Sequence, residues 1–466
     1  MGRFAVREHV PSILVASLSA AFGVALLQVT GALSTVLAAD DLVGSSATLR
    51  VMLAVVAAVF IAIAVYVGAI VTANTFSTII AGRIRTIALL RLIGSSAATQ
   101  RRAVAGEGLR VGLIGSAVGV VVGTLVTVVI VRIGVATALI PDLSYDYVPP
   151  VVALPVVAVV LTTWLASWIG SRRVLGVSPM QATGASQEES LDEASGHRPR
   201  NVTALVLMLA GLAALALSVV FGLVNPAAVL VGVVGGVLSF SGFVLGAHRV
   251  MPRVLRLVGR AFGTSAPARL AAENAVRYPE RSTRTTIGLV IGVTLITMFA
   301  VAVASFQAII RKAQEAEPEG YQGSDDILIV IVTVFSILMG FSALIAAVGM
   351  VNNLSLSVLQ RTRELGLLRA LGFTARQVRR MILVESASLT AAAVLVGLVL
   401  GTFYGWVGAQ SLLGSLYGSP GIVAPAVPVP LLAIVVVAAV VLTLAASVTP
   451  SRRATRVAPV AALAHD

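Results

Sequence analysis

The sequence predicts an all-α polytopic membrane protein with ten transmembrane helices and both termini in the cytoplasm. Hydrophobic residues make up 58% of the chain and charged residues only 11%, whereas a soluble domain carries about 25% charged residues. Ten apolar runs are long enough to cross a hydrocarbon core of about 30 Å, which takes about 20 helical residues. The runs cover residues 11–33, 51–75, 108–131, 149–170, 202–223, 227–247, 286–310, 327–351, 384–407 and 429–449.

Helices are the expected form of these runs because a span must satisfy its backbone hydrogen bonds internally. The runs are rich in Ala, Val, Leu and Gly and lack the two-residue alternation of a membrane barrel. The first run follows Arg3 and Arg7 and contains a possible signal-peptide cleavage site at 16–20. Because that run continues to about Val29, we expect an uncleaved first span.

The orientation follows from the arginines, which lie mainly in alternate connections. These connections are residues 83–102, 172–173, 249–284, 361–380 and 452–456. The opposite connections carry acidic residues at 40–41, 142–146 and 315–326. The positive-inside rule then places the termini in the cytoplasm. We therefore interpret the net charge of +13 as topological charge and expect no nucleic-acid partner.

Two twelve-residue segments, Arg83–Gly94 and Arg361–Gly372, indicate an internal duplication with an offset of 278 residues. The identical pairs are Arg83/Arg361, Arg85/Arg363, Leu89/Leu367, Leu90/Leu368, Arg91/Arg369 and Gly94/Gly372. The same offset relates Glu107 to Glu385, Gly119 to Gly397 and Gly123 to Gly401. The predicted organisation is a four-span repeat at 1–183, an acidic cytoplasmic linker at 184–200 and a two-span hairpin at 201–248. A second four-span repeat, led by an interfacial helix at 270–281, follows at 249–466.

Each duplicated segment predicts a short amphipathic helix at the membrane surface. In the second copy, leucines form the apolar face, and Arg361, Arg363, Glu364 and Arg369 form the polar face. Gly372 suits a helix C-terminus, and Thr374, or Ser96 in the first copy, can cap the next helix. Fixed spacing in both copies favours a docking surface. The alternative is that these arginines only set topology.

Two further sets of equivalent residues in the two copies, a pair of glutamates and two pairs of glycines, are candidates for a role in function or helix packing. Glu107 and Glu385 lie just inside the cytoplasmic ends of spans 3 and 9, where an ionisable side chain is costly. A structural role in pairing with nearby arginines is favoured over a proton relay. The glycines at 119, 123, 397 and 401 form small-xxx-small pairs that allow close helix packing.

Catalytic constellations are not found in the sequence. There is no cysteine, the four histidines are scattered, and no metal site is predicted. A P-loop requires a lysine that reaches the β- and γ-phosphates, yet the single lysine, Lys312, lies in a connection predicted to be outside. The chain is therefore not expected to be an enzyme by itself, and any ATP that drives it must bind a separate subunit.

The second segment, Arg-x-Arg-Glu-Leu-Gly-x-x-Arg-Ala-Leu-Gly, followed by Glu385 in the next span, resembles the FtsX-like (MacB-type) ABC transporter permeases. The first copy departs from this pattern at Thr86, Ala88 and Leu92. The 4+2+4 layout is similar to BceB-type permeases without their large extracellular domain. The resemblance implies a bacterial cytoplasmic-membrane protein whose segments are coupling helices for a cytoplasmic ATPase dimer. ATP and Mg would bind that partner, and the second copy would make the stronger contact.

The leading functional hypothesis is the permease subunit of an ATP-driven transporter that exports or extracts a hydrophobic or amphipathic compound, such as a lipid, antibiotic or peptide. The alternative is a mechanotransmission module that controls an extracellular cell-wall hydrolase or a sensor kinase. An ion-coupled secondary transporter is disfavoured because the repeats share one orientation and intramembrane charges are few.

Overall fold

The computed structural model describes residues 3–38, 84–138, 140–171, 198–259, 279–316, 371–415, 421–430 and 432–441, together with isolated helical residues between 55 and 73. Within these ranges the regular structure is helical and contains no strand. The elements are α1 (Arg3–Ala38), α2 (Ile84–Leu92), α3 (Ala97–Ala136), α4 (Ala153–Gly170), α5 (Arg198–Gly222), α6 (Ala228–Gly259), α7 (Pro279–Ala316), α8 (Ala375–Leu413) and α9 (Leu432–Val441). A 3₁₀ turn, Pro150–Val152, leads into α4.

Seven helices in the described part of the chain are long and apolar enough to cross a membrane: α1 and α3 to α8. They match predicted spans 1, 3, 4, 5, 6, 7 and 9, so the all-helical class is confirmed. Span 8, most of span 2 and the last part of span 10 lie outside the described residues. The total of ten spans and the orientation of the termini therefore stay predictions.

Several helices extend beyond the apolar runs that predicted them. Helix α6 continues to Gly259, so it passes through the predicted hairpin boundary at 248. Helix α7 begins at Pro279, and a proline suits a first helical position because its nitrogen has no hydrogen to donate. Of the interfacial helix predicted at 270–281, residues 270–278 lie outside the described residues and 279–281 form the first turn of α7.

The helices pack as neighbours in sequence and also across the hairpin. Helix α3 contacts α1 and α4, and α7 packs along α8. The hairpin formed by α5 and α6 lies against α8. One apolar core joins α1, α6, α7 and α8, with Leu26, Met251 and Ile291 almost fully buried in it. Helix α3 instead exposes one large apolar face, which includes Val121, Leu125, Val129 and Ile133, as expected for a face that meets lipid tails.

The four glycines singled out in the sequence lie where helices touch. A Cβ added to Gly119 would be 2.4 Å from the Cβ of Ala20 in α1, and one added to Gly401 would be 2.5 Å from the Cβ of Thr297 in α7. Gly123 and Gly397 meet α1 and α7 in the same way. Only glycine permits such approach, so these contacts set the spacing of the first and third helices of each repeat.

We expect Gly119→Ala to lower the thermal stability of the full chain, and Gly106→Ala to leave it unchanged or raise it. Both residues lie in α3, but an added Cβ at Gly106 meets no atom within 4 Å. Overpacking at Gly119 should cost about 1–3 kcal/mol, whereas alanine at Gly106 should gain about 0.5–1 kcal/mol from helix propensity. The measurement is the unfolding midpoint in a fixed detergent. Equal shifts for both variants would contradict the packing role.

Candidate functional site

In the first repeat a tight turn joins the surface helix α2 to the long span α3. Gly94 has φ +100°, a conformation that favours glycine. The N–H of Ser95 donates to the carbonyl of Leu90 at 2.9 Å, the bond that closes a Schellman motif. Ser96 then caps α3 by accepting from the N–H of Thr99 at 3.1 Å. The turn is therefore held by defined hydrogen bonds on both sides of the glycine.

The second repeat builds the same turn before α8. Gly372 has φ +98°, and Thr374 is the N-cap. The N–H of Gln377 donates to Thr374 Oγ1 at 3.2 Å, and the N–H of Thr374 donates to Gln377 Oε1 at 2.9 Å. This reciprocal pair is a capping box, which satisfies two helix-end donors at once. Helix α8 starts at the same repeat offset as α3.

Helix α2 is buried on one side only. Ile87 and Ala88 pack into a cluster with Val104 of α3 and Ile13 of α1. Ala88 has no exposed surface. Apolar residues at the end of each segment stay uncovered, since Ile93 is 81% and Leu371 71% exposed. Each segment thus has an exposed apolar residue one position before its final glycine.

Most of the predicted docking residues lie outside the described part of the chain. Arg85 and Arg91 lie on α2 without described side chains, while Gly94 and Gly372 form the turns above. The remaining members lie outside the described residues: Arg83, Arg361, Arg363, Glu364, Gly366 and Arg369. Their role in docking stays a prediction.

The two carboxylates occupy equivalent places. Glu107 in α3 and Glu385 in α8 each lie about three turns from the start of their helix and are half-buried. Each takes part in an interaction with another group. Neither the structural role nor the proton relay is decided by this arrangement, so both stay hypotheses.

Arg101 makes a contact that sequence patterns could not assign. Its guanidinium lies 4.0 Å from the ring centroid of Trp168 in α4. The same group donates through Nε to Ser171 Oγ at 3.4 Å and through a terminal nitrogen to the Trp168 carbonyl at 3.5 Å. Ser171 is fully buried and begins the Ser-Arg-Arg sequence that ends the repeat. Arg101 therefore fastens the end of α4 to the start of α3.

Two buried glutamines fasten the opposite end of the bundle. Gln410 in α8 donates from Nε2 to the Gly421 carbonyl at 2.9 Å and accepts from the Val423 N–H at 3.0 Å. Trp406 Nε1 donates to the Val423 carbonyl at 2.6 Å.

Gln28 in α1 donates to Thr124 Oγ1 at 2.9 Å and to the Tyr147 carbonyl. The sequence signal that could have identified these glutamines is a side-chain amide inside an apolar run. Burying an amide costs free energy unless the amide is hydrogen-bonded.

We expect Arg101→Ala to destabilise the full chain by about 1–2 kcal/mol, because a cation–π contact and hydrogen bonds to α4 are lost. Arg102→Ala removes the same charge from an exposed neighbour and should have little effect. The measurement is the thermal unfolding midpoint of both variants. The comparison separates the loss of the contacts with α4 from the loss of one positive charge. Equal destabilisation would show that charge alone matters at this position.

We expect Gly372→Ala to loosen the start of α8, because a non-glycine residue at a left-handed φ costs about 1–2 kcal/mol. No atom lies within 4 Å of the added Cβ, so the loss would come from the backbone and not from a clash. Hydrogen exchange of the amides at 371–378 should accelerate relative to those at 93–99. Unchanged exchange would contradict the strained turn.

The described residues contain no group of three or more His, Asp or Glu side chains that could hold a metal ion. The chain matches the FtsX-like permease C-terminal family twice, at residues 58–179 and 336–459. These matches lie at the offset of the duplicated segments and together cover more than half of the chain.

A curated relative is the uncharacterized ABC transporter permease YknZ of Bacillus subtilis (strain 168). It is 31% identical over 101 residues, which is 22% of this chain and 24% of the relative. The aligned part thus spans about a quarter of the relative's length. The repeated family match, with its multiple apolar helices, shows that this chain belongs to the FtsX-like permeases and is a multi-pass membrane protein.

Proposed function

We propose that this chain is the permease subunit of an ATP-driven transporter, and that Arg83–Gly94 and Arg361–Gly372 contact a cytoplasmic ATPase dimer. The observation that carries the proposal is the repeated family match, which includes both segments. ATP and Mg would bind the ATPase, since the sequence offers no P-loop lysine. The domain organisation that we propose is the predicted 4+2+4 layout.

The turn geometry supports a mechanical coupling. Helix α2 rests on the bundle through Ile87 and Ala88, and its turn into α3 is hydrogen-bonded on both sides of Gly94. Helix α3 then continues for 40 residues, a length of about 60 Å at 1.5 Å per residue. A displacement of α2 by a docked ATPase would therefore move a whole span and not a flexible loop.

The cargo class is a hydrophobic or amphipathic compound that is exported or extracted from the membrane. The connections predicted to lie outside are short and offer little room for a soluble receptor domain. Two of these connections are tied back to the bundle by Gln28 and Gln410. Lateral entry from lipid is the route that such short connections favour.

We expect Arg369→Glu and Glu364→Lys to weaken association with the ATPase by ~10-fold or more, because each reverses a charge at a charged interface. Arg91→Glu, the first-copy equivalent of Arg369→Glu, should have a smaller effect, since the first segment lacks the Glu and Gly of the family pattern. The measurement is co-purification with candidate P-loop ATPases, together with stimulation of ATP hydrolysis by the purified permease.

The matched control is Arg256→Glu, which makes the same charge reversal at an exposed arginine outside the segments. It should leave ATPase association unchanged. If Arg369→Glu behaves like Arg256→Glu, the segment does not couple the two subunits. Transport that persists without any ATPase would favour the ion-coupled class instead.

A further inference from the structure

A cavity with a volume of about 170 Å³ lies among α6, α7, α8 and residues of the second predicted span. Its wall is almost entirely apolar, and the described lining contains no Asp, Glu, Lys, Arg or His. Five aromatic rings contribute to the wall: Tyr66, Phe240, Phe299, Phe306 and Tyr404. The cavity thus joins the first repeat, the hairpin and the second repeat inside the membrane-spanning region.

The two tyrosines turn their hydroxyl groups to polar partners on α6. Tyr66 Oη lies 2.8 Å from Ser241 Oγ and donates to the Val237 carbonyl at 3.1 Å. Tyr404 Oη lies 3.0 Å from Ser239 Oγ. Both rings meet Phe240 edge-on, with centroids 6.4 Å and 6.3 Å away. These contacts fix the ring orientations, so the tyrosines act as part of an aromatic wall.

Two glycines in the wall leave space that helix packing does not use. A Cβ added to Gly236 in α6 or Gly408 in α8 would meet no atom within 4 Å. Two nearby glycines, Gly235 and Gly405, are in a different situation. A Cβ added to Gly235 would lie 2.8 Å from the backbone nitrogen of Leu215, and a Cβ added to Gly405 would lie 2.4 Å from the backbone oxygen of Met298. Gly235 and Gly405 are explained by close helix contacts, whereas Gly236 and Gly408 keep volume free.

One polar group in the wall lacks a partner. Thr294 in α7 is only 4% exposed, and its Oγ1 makes no hydrogen bond. Thr286 on the same helix shows the usual alternative, because its hydroxyl donates to the Thr283 carbonyl at 3.2 Å. A buried hydroxyl without a partner costs about 1–3 kcal/mol. A bound molecule that pairs with Thr294 would recover part of this cost.

We propose that this cavity binds a neutral lipophilic compound of one or two fused rings, with one polar group hydrogen-bonded to Thr294. A dry apolar cavity of about 150 Å³ is large enough to bind benzene, so the volume suits a small ring system. Aromatic ligands gain from edge-on and offset contacts with aromatic side chains. A charged ligand would lack a partner and would be strongly disfavoured.

The binding itself does not depend on an ATPase. The inference that the bound compound is cargo rests on the proposed transport function. Because the cavity lies between membrane-spanning helices, its ligand would arrive from the lipid phase. The proposal thus narrows the cargo class from hydrophobic or amphipathic compounds in general to small neutral ring compounds.

The test uses the full chain in lipid nanodiscs, without ATPase, and the polarity-sensitive fluorescence of 1-naphthylamine, with the signal of empty nanodiscs subtracted. We expect saturable binding of this neutral amine. Its 5-sulfonate, which has the same rings and a fixed negative charge, should bind at least ~10-fold more weakly. Equal binding of the two compounds would overturn the neutral site.

Gly236→Leu and Gly408→Leu should each weaken naphthylamine binding by ~10-fold, because the new side chain occupies the cavity. Gly31→Leu is the matched control, since an added Cβ there also meets no atom within 4 Å but lies outside the lining. If a leucine variant unfolds, Gly236→Ala and Gly408→Ala should give a smaller loss of binding with a normal unfolding midpoint. Binding that is unchanged in both folded alanine and leucine variants would overturn the assignment.

Thr294→Val keeps the shape of the side chain and removes the hydroxyl. It should weaken naphthylamine binding by ~5-fold, the value of one hydrogen bond, and leave naphthalene binding within about twofold. Equal losses for the two ligands would remove Thr294 from the proposal. Failure of all binding, with ATPase coupling through Arg369 intact, would reject this site and leave the proposed transport function standing.

Discussion

The close approach of α3 to α1, and of α8 to α7, is the constraint on which the rest of this structure depends. Lipid tails are as apolar as leucine, so helices in a membrane associate through packing and not through escape from water. Glycine at 119, 123, 397 and 401 lets the backbones meet. Because this contact is made in both repeats, it fixes the third helix of each repeat beside its first.

That spacing determines where the functional features can lie. The start of α3 brings its turn and α2 against the bundle, with Ala88 fully buried there. In the second repeat, the pairing of α7 with α8 leaves a gap that the hairpin helix α6 closes only in part. The turn that begins α8 and the cavity lined by the last turns of the same helix therefore both depend on how α8 packs.

The sequence predicted what depends on local pattern. Apolar length identified the described spans, and the glycine followed by Ser96 or Thr374 identified the turns that precede α3 and α8. It did not predict that α6 continues to Gly259, because helical structure beyond an apolar run has no hydropathy signal. The contacts of Arg101 with Trp168, of Gln28 with Thr124 and of Tyr66 with Ser241 join residues far apart in sequence. Such contacts, and the empty space at Gly236, require the packed helices to be known.

The glutamine contacts have a consequence for how the two ends of the molecule respond to their surroundings. A side-chain amide carries no charge at any physiological pH, so the bonds from Gln28 and Gln410 are unaffected by acidification. The proposed ATPase contacts of the arginine segments would act through charge, which salt screens over about 8–10 Å at ordinary ionic strength. The glutamine bonds are thus indifferent to proton and salt concentration, whereas the proposed contacts of the arginine segments would vary in strength with the ionic composition of their compartment.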